Sequence, residues 1–207
     1  MITKDNFFGL IYHFLFAISS SVVGAIVASW PLLFIFMLVQ KTYETVHMSL
    51  FQVMHNYNQL MIYLIWPFKK RLKMDNFPTS ANAAEHFAEC KQLFVFAVLV
   101  FIVCLMLYFV FKKRRKKALL SLDKSAALIL LLLPIVVFPF AVTNFDSFFI
   151  IFHHMLFNNN DWLFDPNTDP IINVLTEGFF ASCFAVAGII TNYILLKSCY
   201  EDKKEFH

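Results

Sequence analysis

The stretch LFVFAVLVFIVCLMLYFVF, residues 93–111, followed without a break by KKRRKK, residues 112–117, decides the fold of this chain. Its apolar part carries no charge, and at 1.5 Å rise per residue a helix of about 20 such residues crosses roughly 30 Å of hydrocarbon. Six consecutive cations then close the run. Short basic loops stay on the cytoplasmic side of a membrane, so this end of the span is read as the inside.

Composition agrees along the whole chain. Of 207 residues, 59% are hydrophobic, 27 are phenylalanine and only 15% are charged, far from the balance of a soluble domain. Three further stretches are long and apolar enough to span, at about residues 8–39, 126–142 and 172–196. The first contains Gly24 and Pro31, which predicts tilt or a kink near Pro31. It is too long for the apolar core of a cleavable leader and is expected to stay as an anchor. The expected fold is an all-α integral membrane protein, a single four-helix transmembrane bundle.

Charge then sets sidedness. With four spans, the N-terminus, the 112–125 loop and the tail lie in the cytoplasm, and loops 40–92 and 144–171 lie outside. Lys and Arg divide 11 inside to 6 outside, whereas acids divide 9 outside to 5 inside. A second basic cluster, Lys69, Lys70, Arg71 and Lys73, falls in the outer loop against this trend. The stretch before it does not read as a fifth span. Val53, Met54, Tyr57, Leu60, Met61, Leu64 and Phe68 recur at helical spacing, with Gln52, His55, Asn56 and Gln59 opposite. That pattern predicts an amphipathic helix lying in the outer interface, with Tyr63 and Trp66 at headgroup depth.

Several chemistries find no motif. Cys90, Cys104, Cys183 and Cys199 are scattered without a CxxC, which argues against a disulfide framework or thiol relay. Phosphate-binding glycine loops, HExxH and nucleophile-elbow motifs are absent, so no cofactor is expected. Between two spans, KKRRKK reads as a topology determinant and a contact for anionic lipid, not for nucleic acid.

Two polar segments remain on the outer side. NFPTSANAAEHFAECKQLF, residues 76–94, carries His86, Glu89 and Lys91 just before the second span. FHHMLFNNNDWLFDPNTDP, residues 152–170, sets adjacent histidines, three asparagines, a tryptophan and three aspartates directly against apolar runs. Converging over the mouth of a small bundle, they suit acid–base chemistry on an amphiphilic substrate.

At these residues the chain resembles the small four-span lipoprotein intramolecular transacylases of Gram-positive bacteria. The second loop is similar to that family's FHxxFFxNxxWxxDPxTDxLI pattern through Phe152, His153, Phe157, Asn159, Trp162, Asp165, Pro166, Thr168 and Asp169. The first resembles NYxxLMxYL through Asn56, Tyr57, Leu60, Met61, Tyr63 and Leu64. It then resembles FxxSxxGxxHFxDVKxLF through Phe77, Ser80, His86, Phe87, Lys91, Leu93 and Phe94. Ala83 stands where that pattern has glycine, Glu89 and Cys90 replace an Asp-Val pair, and Thr176 replaces a proline. The resemblance implies transfer of the sn-2 acyl chain of a diacylglyceryl-cysteine lipoprotein to the cysteine's own α-amino group. The product is a lyso-form lipoprotein, and the site belongs at the outer leaflet of the bacterial cell membrane.

The residues fit that chemistry. An attacking amine must lose a proton, the tetrahedral oxyanion needs donors, and the leaving alkoxide needs a proton. His86 and His153 are the expected acid–base pair. Lys91, Tyr63, Asn159 and Trp162 are candidate substrate contacts, Trp162 reading more readily as a loop brace, and Asp169 or Glu89 is a candidate to orient an imidazole. His154 occupies a variable slot, His47 and His55 read as solvent-facing, and His13 reads as an interhelical hydrogen bond. A metal site built on His153 and His154 is the chemical rival, weakened because adjacent histidines do not converge easily on one ion. A nonenzymatic envelope sensor or accessory subunit is the other.

Overall fold

The computed structural model describes residues 4–114 and 124–201. The last three cations of KKRRKK, the tail lysines Lys203 and Lys204, and His207 lie outside the described residues, as do the side chains of Lys4, Lys124 and Cys199. All regular structure among the described residues is helical: α1 (Lys4–Gln40), α2 (Thr42–Thr45), α3 (Leu50–Ile65), α4 (Ala81–Lys113), α5 (Lys124–Thr143), α6 (Phe145–Leu156), a 3-10 turn (Pro170–Asn173) and α7 (Glu177–Glu201). Three are long and apolar enough to cross a membrane, over Phe7–Gln40, Ala81–Lys113 and Glu177–Ser198. Their outward faces are apolar, with Val27, Ile35, Phe96 and Phe109 exposed. That inversion suits hydrocarbon, where no water rewards a polar surface. The fourth expected span corresponds to α5, which is 20 residues long.

Helix bounds differ from the sequence reading at three places. The second span, expected at 93–111, is the apolar part of a 33-residue helix that starts at Ala81. His86, Glu89 and Lys91 therefore sit on the first turns of α4 and not in a loop. The segment 144–171, expected as an outer loop, is half helical, because α6 fills Phe145–Leu156 and the Asn144 side chain caps it by accepting from the Ser147 N–H. The last span starts at Glu177, after the 3-10 turn that covers its expected first residues.

The chain forms two compact units, one of residues 1–25, 97–140 and 184–207, the other of residues 26–96 and 141–183. In the first, Tyr12 donates to the Cys104 carbonyl at 3.3 Å and packs with Phe16, Val100 and Leu107. Ser21 and Thr191 share a buried hydroxyl contact of 2.7 Å, and His13 pairs with Ser198 at 3.0 Å as an interhelical bond. At Gly24 a Cβ would meet the end of the Ile190 side chain, so the glycine leaves room for Ile190 of α7 against α1.

The second unit holds the candidate site residues. Its α3 starts from a full capping box between Ser49 and Gln52. The apolar face expected to meet lipid is instead buried in protein, with Val53, Tyr57, Leu60, Met61 and Leu64 all inaccessible. Tyr57 packs edge-on to Trp30 and Phe179, and Gly178 sits against the Phe36 ring. The opposite face is not simply solvated. Asn56 is 0% exposed, and it binds Asn76 twice, donating to its side chain at 2.9 Å and accepting from its backbone at 2.8 Å. Beside it, His55 meets Asp75 at 3.1 Å and Gln59 accepts from the Asp75 backbone at 2.9 Å. The polar stripe of α3 is thus a clasp for residues 75–76, which lead into α4. The exposed aromatics Trp66 and Phe68 lie beyond its end.

Candidate active site

Ser80 organises the entry to α4. Its hydroxyl caps the helix by accepting from the Ala83 N–H at 3.1 Å, and its own N–H donates to Asp169 Oδ1 at 2.7 Å. Ala83 is fully buried inside the first turn and has an ordinary negative φ, so the position needs no glycine. One turn later His86 points into an aromatic enclosure, with ring centroids 4.8 Å from Phe157 and 5.6 Å from Phe164. From α6, His153 enters the same enclosure against Phe149 at 4.0 Å and Trp162 at 4.7 Å. The two imidazoles are buried, with centroids 5.7 Å apart.

Each ring has one nitrogen held. His153 Nδ1 lies 2.7 Å from the Phe149 carbonyl oxygen. A carbonyl only accepts, so Nδ1 carries the proton and Nε2 the lone pair. Burial holds the His153 pKa below its usual 6.5, partly offset by that carbonyl, with neighbouring His154 lowering it further. In His86, Nε2 lies 3.4 Å from Cys90 Sγ, and Nδ1 is buried without a hydrogen-bond partner among the described residues. His154 is exposed, its ring perpendicular to that of Trp162 at 5.4 Å. Burial therefore separates the two adjacent histidines.

The other expected site residues fall around this pair in distinct positions. Asn159 donates to Glu89 Oε1 at 2.8 Å, and its carbonyl accepts the Trp162 indole N–H at 3.1 Å. That ties residues 157–164 to α4 and sets Trp162 as a wall against His153. Lys91 donates to the Lys69 carbonyl and lies 4.6 Å from the Tyr63 ring centroid, so both are committed to packing the 66–73 segment. Asp169 does not orient an imidazole. It is 3% exposed, and its oxygens accept from the Ser80 N–H and from the Thr168 hydroxyl at 2.9 Å. Asp169 thus buckles the second loop to the start of α4.

Sequence reasoning missed Phe149 and Phe164, which are invisible among 27 phenylalanines, and had Phe157 only as a residue of the family pattern. It also missed Cys90 as the neighbour of His86, although the i, i+4 spacing on a helix gives that contact directly once α4 is known to begin at Ala81. Among the described residues, no group of three His, Cys, Asp or Glu side chains is disposed to hold a metal ion.

The profile of the lipoprotein intramolecular transacylase family, Lit, matches residues 7–180. The chain belongs to this family. It is accordingly a membrane-integral transacylase, an enzyme whose family acts on lipoproteins. Solved structures agree on the fold. The Lit enzyme from Bacillus cereus is similar over 97% of this chain and 94% of its own, at 24% identity and a TM-score of 0.78. Two variants of that enzyme, with a histidine changed to arginine or to alanine, match at 22% and 24% identity. They cover 98% of this chain and 95% and 96% of their own, with TM-scores of 0.70 and 0.69. No curated protein matches this chain.

Proposed function

We propose that this protein moves the sn-2 acyl chain of a diacylglyceryl-modified N-terminal cysteine onto that cysteine's α-amino group, with His86 and His153 dividing the proton transfers. The observation that carries the reading is the pair of buried imidazoles 5.7 Å apart, each with one nitrogen held and one available. With Nδ1–H given to Phe149, His153 Nε2 is the base that takes a proton from the attacking amine. With the Cys90 thiol donating to Nε2, His86 carries its proton on Nδ1 and gives it to the glyceryl oxygen as the ester C–O bond breaks. The proton lost by the amine equals the one gained by the alcohol, so exchange between the rings restores both.

The aromatic walls, Phe149, Phe157, Trp162 and Phe164, exclude the water that would otherwise hydrolyse the ester. Because amine and ester belong to one molecule, proximity supplies much of the rate and the site need only fold the headgroup into attack geometry. Asn159 and Asp169 hold the loop that forms this enclosure.

In the membrane, α1, α4, α5 and α7 are the four spans, both termini are cytoplasmic, and the histidine pair works at the outer leaflet on diacylated lipoproteins. Expression in a host lacking its own lipoprotein N-acylating enzyme, followed by mass spectrometry of a lipoprotein's N-terminal peptide, tests the reaction. The wild-type chain yields the lyso form, and properly inserted His86→Ala and His153→Ala each lose about 10²–10⁴ in rate. Absence of lyso product with the wild type would overturn the reaction, and wild-type rates in both variants would overturn the mechanism.

A further inference from the structure

Among the described residues, Glu89, three residues after His86 on α4, is the acid whose bonding is incomplete. Asn159 fixes its Oε1 at 2.8 Å, while Oε2 is buried with no hydrogen-bond partner. No ion pair to Glu89 occurs among the described residues, and the nearest lysine in sequence, Lys91, is spent on the Lys69 carbonyl and the Tyr63 ring. In a half-buried carboxylate, an enclosed second oxygen without a donor is costly unless a donor, best a cationic one, completes it. Glu89 stands three residues after His86 on α4, where helical neighbours have Cβ atoms about 5–6 Å apart. The Oε2 atom and the unpartnered His86 Nδ1 thus belong to one stretch of helix face.

We infer that Glu89 is the receptor for the substrate's α-ammonium group, and that this contact selects lipoproteins with a free N-terminus. The inference rests on the transacylase reading above. An α-amino group with a pKa of about 7.7–8.0 arrives largely protonated at neutral pH. Bringing that cation into a neutral aromatic enclosure requires a counter-charge, and Glu89 provides it through a charge-assisted hydrogen bond. Held there, the ammonium gives up one proton through the imidazole pair to solvent and attacks the ester as the neutral amine; its second proton, lost as the amide C–N bond forms and the ester C–O bond breaks, goes to the departing glyceryl oxygen. Transfer turns the amine into an amide, which bears no charge and offers Glu89 much less. The same contact that admits the substrate therefore lets the product go, and N-acylated lipoproteins are refused from the start.

Binding of two unreactive ligands reads this directly. One is a dialkylglyceryl-cysteine peptide, with ether links in place of both esters and a free α-amine; the other is its N-acetyl form. The purified wild-type protein is expected to bind the free amine about tenfold more tightly. Glu89→Gln brings the ratio to within about twofold while leaving affinity for the N-acetyl ligand unchanged, which also reports an intact site. Asn159→Ala, which frees the carboxylate from its anchor, lowers the ratio too and serves if Glu89→Gln does not insert. A wild type without preference, or a preference that survives in the inserted variant, overturns the inference. Conversion of the ester substrate by the same wild-type preparation keeps that outcome separate from a failure of the reaction itself.

Discussion

The 2.7 Å contact between His153 Nδ1 and the Phe149 carbonyl commits one tautomer, and a committed tautomer gives a working pH range. His153 must be neutral to act as a base. Burial lowers its pKa from 6.5, so the neutral form persists below that pH and the acid limb of kcat/KM falls below 6.5. His154 contributes to the lowering, so His154→Ala moves the limb upward toward 6.5 without changing the plateau by more than a few-fold. A pH–rate profile of the two proteins checks both the position and the direction. Asp169 behaves differently because it touches no ring of the site. Its two bonds, to Ser80 and Thr168, are those of a buried charged acceptor, so Asp169→Ala is expected to cost about 1.5–3 kcal/mol of stability. Thermal unfolding in detergent should show the loss; an unchanged transition with abolished activity would return Asp169 to the chemistry.

At the scale of elements, α3 shows what periodicity can and cannot convey. Of its expected apolar stripe, Val53, Tyr57, Leu60, Met61 and Leu64 are indeed buried, whereas Met54 is half-buried and Phe68 lies exposed beyond the helix end. What the stripe touches was not legible, since lipid and protein reward the same side chains. The polar stripe misled for a related reason: Asn56 looks solvated in sequence, yet its partners lie 20 residues away at Asn76. A local signal at the start of the helix was there to be read in Ser49 and Gln52. Ser49→Ala is expected to cost about 1 kcal/mol, and Asn56→Leu more, because it removes both bonds that the fully buried Asn56 side chain makes to Asn76. Chemical or thermal unfolding of the pair should preserve that order. The N-terminal extension of α4 was hidden by its own polarity. Glu85, His86, Glu89 and Lys91 interrupt the apolar run, so the span can be counted only from Leu93, although the helix begins at Ala81.

On the scale of the molecule, hydropathy and charge made the membrane class plain, because backbone bonding in hydrocarbon leaves a helix as the simplest way across. The meeting of His86 with His153 was legible only as two similar polar segments; their 5.7 Å separation depends on α6, which the sequence reading took for loop. Sidedness remains a prediction of charge, and it can be tested at positions whose exposure is known. Lys70, Asn160 and Lys113 are all exposed. Cysteine introduced at 70 or 160, in a chain whose native cysteines are replaced, should react with an impermeant maleimide in intact cells. At 113 it should react only after permeabilisation, since a basic run is expected to keep that end of α4 in the cytoplasm. The pairing matters more than any single site: α4 begins at Ala81 beside the histidines and ends at Lys113, about 48 Å away at 1.5 Å per residue. One helix thus joins the candidate site to the basic run, and labelling at 113 from outside would put the histidine pair on the face where no lipoprotein N-terminus is presented after export.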